Sequence, residues 1–331
     1  MKAAFLEKPN SIQIRDIAIP EPAIGELRVK ISQIGICGSD VHLFLGHRKL
    51  NQPTIIGHEG LGIIDKLGEG VAERTIGERV VIEPNIPCRK CIHCMRGTSS
   101  ICPNKRTIGL NSPGCFAEYV CVPESFCWSV PSEISDSNAV VIEPLAVGVH
   151  ALFRSKVKPG DSIAVIGLGA IGMLLTDLAL SLGYRVFVTE INSQKIETAV
   201  KLGATHSKGS AEDLNKSWEK EQVMAVFECG GSAKTVTLAT EAAPRGSEII
   251  LVGLSEQLAQ FQPLKIVREG ITLVPSIIYE HPADFRRAIH LIKSGIIQPG
   301  KFISNQFNLD DLQTALELAS QGNETKIIIQ A

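Results

Sequence analysis

The chain has 331 residues, 44% of them hydrophobic, and its 33 Lys and Arg residues against 35 Asp and Glu residues leave a formal charge of −2. The length favours two domains, the apolar content excludes an intrinsically disordered chain, and the balanced charge argues against broad electrostatic binding of nucleic acid or an anionic membrane. The longest apolar run, 163–175, is too short to span a bilayer. Because Glu7 interrupts the N-terminal segment before a signal-peptide core could form, we expect a cytoplasmic protein without a membrane segment.

Strand patterns dominate residues 1 to about 145. Leu27, Val29 and Ile31 alternate with polar residues, which is typical of a strand buried on one face. Glycine and proline recur at intervals that suit turns, and long helical periodicity is scarce. This half is therefore predicted to be a small barrel or sandwich that carries long loops.

Two glycine-flanked segments of this half contain side chains that bind metals. Cys37 offers a thiolate, His58 an imidazole and Glu59 a carboxylate. Three protein ligands with an open fourth position are typical of a catalytic zinc, which polarises a carbonyl and lowers the pKa of a bound alcohol or water. A further carboxylate, Glu143, lies where the sequence pattern changes and would be a ligand or a neighbour of one. The alternative is an ordinary core cysteine and a hydrogen-bonding histidine, and the spacing alone does not decide between the two.

Four of the nine cysteines lie within fifteen residues, at Cys88, Cys91, Cys94 and Cys102. In a reducing compartment such clustering indicates metal or redox chemistry before disulfides. Four thiolates complete a tetrahedral shell, so we interpret this lobe as a structural zinc site. A redox-active pair and a nucleic-acid-binding ribbon are the alternatives. The absence of an aromatic residue between the first and last cysteine argues against nucleic acid, because no side chain there could stack on a base.

Beyond residue 145, short apolar strands alternate with helices. The predicted strands are 162–166, 185–189, 223–227, 249–252, 271–279 and 326–329, and the predicted helices are 170–182, 195–202, 284–293 and 310–318. Such alternation is the pattern of a parallel, doubly wound sheet.

The first strand of this half leads into a G-x-G-x-x-G loop formed by Gly167, Gly169 and Gly172. In a dinucleotide-binding turn the first glycine makes the tight turn, the second lets the backbone approach a pyrophosphate, and the third lets the helix pack on the strand. Glu190 follows the next strand, where a carboxylate accepts hydrogen bonds from the adenosine ribose and repels a 2′-phosphate. The sequence therefore predicts NAD in preference to NADP. The alternative is an ordinary strand–helix turn with a surface glutamate.

Several motifs, in this order along the chain, resemble those of the zinc-dependent medium-chain dehydrogenases, the group of alcohol, sorbitol and threonine dehydrogenases. They are GICGSDVH, GHEGLG, the four-cysteine lobe, EPLAVGVHA, VIGLGAIG and TEINSQK, and they cover nearly the whole chain. The resemblance implies an α/β protein with a GroES-like β-barrel catalytic domain and a Rossmann doubly wound parallel sheet. The implied domains are a catalytic domain over 1–145 with the structural zinc lobe at about 85–105, an NAD-binding domain over 146–277, and a return to the catalytic domain over 278–331.

The resemblance also implies roles for the metal-binding residues. Cys37 and His58 correspond to ligands of the catalytic zinc, and Glu59 corresponds to an adjacent carboxylate that ligates the metal or moves in and out of its shell. Glu143 stands where alcohol dehydrogenases use a second cysteine, and glutamate there is similar to sorbitol, threonine and related polyol dehydrogenases. Which of the two glutamates ligates zinc directly is left open.

Proton transfer and cofactor binding are assigned by the same resemblance. Asp40 corresponds to the residue that holds His58, Ser39 to the hydroxyl that takes the substrate proton, and His42 to the group that passes it to solvent through the cofactor ribose. The residues implied around the cofactor are Val147, Leu168 and Ile171 beside the nicotinamide, Lys195 near the adenosine ribose and Lys326 near the pyrophosphate.

We therefore expect a zinc-dependent NAD oxidoreductase, with one catalytic and one structural zinc, that interconverts a secondary alcohol of a sugar, polyol or sugar acid with its ketone. An L-threonine or vicinal-diol dehydrogenase is the alternative within the family. Two further alternatives are a zinc-free quinone reductase, which would not need Cys37 or His58, and a structural or regulatory protein that binds NAD without turnover.

Substrate and assembly are less constrained by the sequence. The basic loop 44–49 would accept a carboxylate or phosphate, although such loops are more often merely solvated. Pro275 and Ser276 replace a glycine-containing pair, and Ile278 replaces an arginine that some polyol enzymes carry, which weakens a specific prediction of sorbitol. The segment 271–279 corresponds to an edge strand that joins subunits in the family, so we expect a homodimer or homotetramer.

Overall fold

The computed structural model describes residues 1–48 and 52–331, which form two compact units. The first contains Met1–Glu143 and Gln298–Ala331, and the second contains Pro144–Ile297. The second unit thus runs past the predicted boundary at 277. One contact that ties the segment 278–297 to the second unit is that of buried Asp284 with His150, whose Oδ2 and Nδ1 atoms are 2.7 Å apart.

Strands and helices follow one another along the whole described chain. The strands are β1 Lys2–Lys8, β2 Ser11–Asp16, β3 Glu26–Gly35, β4 Thr54–Ile55, β5 Glu59–Leu67, β6 Arg79–Ile82, β7 Asn85–Ile86, β8 Arg106–Thr107, β9 Tyr119–Pro123, β10 Cys127–Ser129, β11 Ser162–Ile166, β12 Arg185–Thr189, β13 Thr205–His206, β14 Val223–Glu228, β15 Glu248–Leu251, β16 Thr272–Pro275, β17 Ile303–Asn308 and β18 Lys326–Gln330. The α-helices are α1 Gly38–Phe44, α2 Ile92–Met95, α3 Asp136–Ala139, α4 Ile142–Arg154, α5 Ala170–Ser181, α6 Ser193–Leu202, α7 Ala211–Lys220, α8 Ala233–Ala242, α9 Pro263–Glu269, α10 Ala283–Lys293 and α11 Leu312–Ser320. Short 3₁₀ helices cover Ser99–Ile101, Glu124–Phe126, Pro299–Phe302 and Leu309–Asp311.

The first unit is built mainly from sheets, as its alternating sequence predicts. Its largest sheet has the order β10-β6-β5-β3-β18-β17, and β9 pairs with the beginning of β3 while β18 pairs with its end. Two irregularities in the β3–β5 register add local twist. The buried, apolar strand β18 brings the C-terminal segment into this unit.

The second unit contains a six-stranded, all-parallel sheet, which confirms the predicted doubly wound architecture. Its strand order is β13-β12-β11-β14-β15-β16, so the order reverses between the central strands β11 and β14. All five residues of β11 are buried, as its continuous apolar run predicts. Ligands of such sheets bind at the carboxyl ends of the strands where the order reverses, and the glycine loop follows β11 at that point.

The last strand of this sheet is shorter than the predicted 271–279. β16 ends at Pro275, and Ile278 has a φ of 48°, which is outside the extended region.

Within the described ranges 1–48 and 52–331, no helix is both long and apolar enough to cross a membrane.

Candidate metal and cofactor sites

Two glycines bring the metal-binding side chains of the first unit together. A Cβ atom at Gly35 would lie 1.9 Å from Oε2 of Glu59, and Gly57 has a φ of 88° with a phenylalanine ring 2.7 Å from its Cβ position. No larger residue fits at either place without displacing its neighbours. Cys37 follows β3 as the N-cap residue of α1, while His58 precedes β5 and Glu59 begins it.

The ligand atoms of Cys37, His58 and Glu59 all lie within 4.8 Å of one another. His58 and Glu59 are 7% and 1% exposed, whereas Cys37 is partly buried. Among the described residues, Oε1 of Glu59 has no hydrogen-bond partner. Buried polar atoms are normally satisfied, so a thiolate, an imidazole and a carboxylate with free lone pairs fit a bound zinc ion.

Asp40, which is completely buried, lies behind His58. Its Oδ1 is 3.5 Å from Nδ1 of His58, and its Oδ2 accepts the backbone N–H of Cys37 at 2.9 Å. Burial lowers the pKa of His58, but the charges of Asp40 and Cys37 outweigh it, and the pKa is raised well above its usual value. A carboxylate beside one ring nitrogen leaves the other nitrogen for a metal, as in many zinc sites.

Lys326 forms a buried ion pair with this group. Its ammonium contacts Oε2 of Glu59 and donates a hydrogen bond to the carbonyl of Ile36 at 3.0 Å, and the side chains of the pair are 2% and 1% exposed. The resemblance implies a place near the pyrophosphate for Lys326, whereas the structure positions its ammonium on the carboxylate of the metal group. The sequence alone gave no signal for this pairing, because 267 positions separate the two residues in the chain.

The remaining predicted residues of the first unit lie on two helices. Ser39 is partly buried and His42 is exposed, both on α1. Glu143 is buried in the first turn of α4, and it does not belong to the cluster of donors within 4.8 Å that the described residues form. In the basic loop, Nδ1 of His47 is 3.2 Å from Nδ1 of His42, while Lys49 lies outside the described residues.

The four cysteines of the lobe converge on one point. The Sγ atoms of Cys91 and Cys94 are 3.4 Å apart, those of Cys91 and Cys102 are 3.8 Å apart, and those of Cys88 and Cys94 are 4.0 Å apart. A tetrahedron with Zn–S bonds of about 2.3 Å has edges of about 3.8 Å, which these separations match. The lobe therefore fits a closed, four-thiolate zinc site.

The acidities within the lobe also fit a metal. Backbone N–H groups of Lys90 and Cys91 lower the pKa of Cys88 to about 6, whereas burial raises the pKa of Cys94 to about 12. Without a cation, thiolates this close together cannot all be charged, because like charges disfavour ionisation. A bound divalent cation removes that conflict and keeps all four ionised.

In the second unit, each glycine of the loop has the geometry that dinucleotide binding requires. Gly167 has a φ of 89°, which a tight turn needs, and a Cβ at Gly172 would lie 1.9 Å from the carbonyl oxygen of Gly167. Gly169, the N-cap residue of α5, has no atom within 4 Å of its Cβ position. Gly167 therefore makes the turn, Gly169 leaves the approach open and Gly172 allows close packing, in the predicted order. The open side lies at the N-terminus of α5, which favours the binding of phosphate.

Glu190 lies at the carboxyl end of β12 and contacts the glycine loop. Its Oε2 accepts the N–H of Leu168 at 2.6 Å, and its Oε1 accepts the N–H groups of Ile191 and Asn192 at 2.7 and 3.0 Å. These bonds fix the carboxylate beside the loop. The other predicted cofactor residues are partly buried Val147 on α4, buried Leu168, partly buried Ile171 on α5 and buried Lys195 on α6.

Glu228 is a residue of this region that the sequence reasoning did not identify. It is fully buried at the end of β14, its Oε1 accepts the N–H of Gly231 at 2.9 Å, and its carbonyl accepts the N–H of Gly253 at 2.9 Å. Because Gly230 lies against Gly167, Glu228 braces the loops next to the glycine turn. An acid that ends an otherwise apolar strand was the available signal.

Comparison with known proteins identifies two family models. Residues 23–132 match the alcohol dehydrogenase GroES-like domain, and residues 170–294 match the zinc-binding dehydrogenase model. The match agrees with the sheet-rich first unit and the parallel sheet of the second, and it confirms the fold that the sequence motifs imply.

Three similar proteins illustrate the range of relatives. The chain is 28% identical to a sorbitol dehydrogenase of Bacillus subtilis, over 97% of this chain and 94% of the relative. It is 32% identical to a 2-dehydro-3-deoxy-L-galactonate 5-dehydrogenase of Pseudoalteromonas atlantica, over 89% and 88%. The crystal structure of galactitol-1-phosphate dehydrogenase from Escherichia coli superposes with a TM-score of 0.94 at 27% identity and covers 100% of both chains.

Proposed function

We propose that this chain, which belongs to the zinc-type medium-chain alcohol dehydrogenase family, catalyses the reversible, NAD-linked oxidation of a secondary alcohol of a polyol, sugar or sugar acid to the ketone. The observation that carries the proposal is the group of partly buried Cys37 with buried His58 and Glu59, whose donor atoms lie within 4.8 Å of one another. Relatives named for a polyol and for a sugar acid support this substrate class.

Cys37, His58 and Glu59 would hold the catalytic zinc, and Glu143 would supply a further carboxylate. When bound, zinc polarises the substrate hydroxyl and lowers its pKa towards neutrality. Asp40 fixes the orientation of the His58 ring, and Lys326 holds Glu59 through a buried ion pair. The two glutamates thus have different surroundings: Glu59 belongs to the donor cluster and is paired with Lys326, whereas Glu143 lies outside that cluster.

Ser39 and His42 would move the proton. They are three positions apart on α1, so their side chains lie on the same side of the helix. Ser39 takes the proton of the substrate hydroxyl, and exposed His42 carries it towards solvent. A hydroxyl relay suits the partly buried position of Ser39, where water has little access.

Gly167, Gly169 and Gly172 would hold the pyrophosphate of NAD, and Glu190 would accept hydrogen bonds from the adenosine ribose. When bound, the nicotinamide ring accepts the hydride from the substrate carbon. The carboxylate of Glu190 is fixed by three backbone N–H groups, so it cannot swing away from a 2′-phosphate. This favours NAD over NADP.

The exposed surface of the second unit supports self-association. Among the described strands, β16 ends the sheet, and it carries the exposed Leu273, while Leu254 and Leu258 are exposed in the segment between β15 and α9. An unpaired strand edge with apolar neighbours favours pairing with a second copy. We propose a homodimer or homotetramer that works in the cytoplasm.

The proposal is tested with a panel of polyols, aldonates, amino alcohols and sugar phosphates, read as NADH absorbance, together with the zinc content. We expect turnover of at least one secondary alcohol and about two zinc ions per chain, one for each donor group. The variant Cys37→Ser should lose nearly all turnover and one zinc, whereas Cys121→Ser, whose thiol belongs to neither group, should keep both. Sustained NAD-linked turnover by a Cys37→Ser protein that lacks the second zinc would refute the mechanism.

A further inference from the structure

The loop after α1 holds two histidines together. The carbonyl of His42 accepts the backbone N–H of His47 at 3.0 Å and that of Arg48 at 3.3 Å, so the chain folds back over the last turn of the helix. Gly46 permits this turn, since its φ is 77° and a Cβ there would lie 2.7 Å from the ring of Pro9. The backbone of His47 is therefore held by local bonds and by packing against a rigid neighbour.

This backbone brings the two imidazole rings into direct contact. Their Nδ1 atoms are 3.2 Å apart, and their centroids are 5.4 Å apart at an angle of 50°. At that distance one Nδ1 carries a hydrogen and the other accepts it, so the two atoms share a single proton. Both rings are also exposed, so the pair connects α1 to solvent.

We infer that His47 is a second proton carrier that receives the substrate's proton from His42, an inference that rests on the proposed function. A proton that binds to Nε2 of His42 makes that ring an imidazolium. The Nδ1–H bond of His42 then breaks as an N–H bond forms at Nδ1 of His47, and Nε2 of His47 releases its own proton to water. One proton is thereby transferred from Nε2 of His42 to solvent, and both rings are left in the opposite tautomer, which proton exchange with water restores before the next turnover.

Two physical features favour this route. His47 covers Nδ1 of His42, so a proton that leaves from this atom reaches an imidazole first. The second ring also adds a further exposed nitrogen, Nε2 of His47, from which a proton leaves to water or buffer. His47 acts through His42 and does not touch the reacting atoms, so it is a positioning and relay residue.

The test compares the holoenzyme with His47→Gln, whose side chain cannot carry a proton, in stopped-flow single turnovers of alcohol oxidation at low buffer concentration. A pH indicator reports proton release while absorbance reports NADH. We expect proton release in His47→Gln to slow by roughly three- to tenfold, less than the 10²–10⁴-fold effect of a group in contact with the reacting atoms. Added imidazole should restore the rate, and KM should not change.

Controls separate this inference from the proposed function. His290→Gln, an exposed histidine on α10, should behave as wild type with and without imidazole. If wild type turns over alcohol and His47→Gln releases its proton at the wild-type rate, the relay through His47 is wrong and the proposed function stands. If His47→Gln is slow but imidazole does not restore it, the contact is structural only and the inference is again wrong. If wild type shows no NAD-linked turnover on any substrate, the proposed function itself fails.

Discussion

At the scale of single residues, the ion pair between Glu59 and Lys326 changes what the metal group can do. A carboxylate that is 1% exposed needs a positive partner, and Lys326 provides one whether or not a metal is bound. Lys326 contacts Oε2, which leaves Oε1 for a metal, so zinc and the ammonium would compete for the negative charge of one carboxylate.

This competition predicts the behaviour of Lys326→Met. Loss of one partner of a buried ion pair leaves the other charge unpaired, so the zinc-free variant should lose about 3–5 kcal/mol in the free energy of unfolding. Zinc should recover most of this loss, because the metal replaces the missing positive charge, and zinc affinity should rise. Chemical denaturation with and without zinc measures both effects.

The exposed pair of Lys2 and Asp310 provides a matched control. Nζ of Lys2 is 2.7 Å from Oδ2 of Asp310, but the two side chains are 49% and 57% exposed. Lys2→Met should therefore leave the stability nearly unchanged, with no dependence on zinc. Equal destabilisation of Lys326→Met in the presence and absence of zinc would contradict the proposed competition.

The carboxylate of Glu190 makes a separate prediction about cofactor choice. In Glu190→Gln, an NH₂ group replaces one acceptor oxygen and meets a backbone N–H instead of accepting from it. The variant would also lose the charge-assisted hydrogen bond that we propose between Glu190 and the adenosine ribose. Such a loss costs about 1.5–3 kcal/mol, so NADH affinity should fall by roughly ten- to a hundredfold. NADPH should lose less, because the repelling charge has gone. Fluorescence titration with both cofactors measures the ratio, and an unchanged ratio would exclude Glu190 as the discriminating group.

At the scale of elements, β11, the glycine loop and α5 form one continuous unit. Gly172 contacts the backbone of Gly167, so the helix can approach the strand only when no side chain intervenes, whereas Gly169 faces open space. The two glycines therefore serve packing and ligand access, respectively. The same sequence motif contains both requirements.

Alanine substitutions at these two glycines should separate the requirements. Gly172→Ala should lower the free energy of unfolding by roughly 2 kcal/mol or more, because its Cβ would overlap a backbone oxygen. Gly169→Ala should keep wild-type stability within about 1 kcal/mol but bind NADH at least about tenfold more weakly, since its methyl group occupies the approach to the phosphates. Thermal denaturation and NADH titration of both variants provide the comparison. Parallel losses of stability and affinity in the two would show that the loop is not divided in this way.

At the scale of the whole molecule, self-association follows from the strand at the edge of the parallel sheet. Leu273 of β16 is 37% exposed, and placing a carboxylate there should oppose pairing of two such edges by desolvation and charge repulsion. We expect Leu273→Asp to shift the protein to a smaller species in size-exclusion chromatography with light scattering. Ile24→Asp, at a residue of the first unit that is 78% exposed, is the control and should not change the mass. A Leu273→Asp protein with the wild-type mass would place the interface elsewhere.

Local sequence patterns were enough to predict the parallel sheet, the position of the glycine loop and the two groups of candidate metal ligands. These features depend on local patterns: a continuous apolar strand, glycines at fixed offsets, and cysteines close enough in the chain to surround one ion. The four-cysteine lobe was predictable for this reason, and so was the close approach at Gly172.

Contacts between side chains from distant segments, in contrast, could not be read from local patterns. Lys326 reaches Glu59 because β18 pairs with β3, a contact between opposite ends of the chain. The contact between His47 and His42 depends on the closure of one loop, in which the carbonyl of His42 accepts the backbone N–H of His47 and Gly46 lies against Pro9. Periodicity and spacing report the neighbours of a residue along the chain. Pairing between remote strands and the closure of an individual loop depend on the whole packed core, which no local pattern contains.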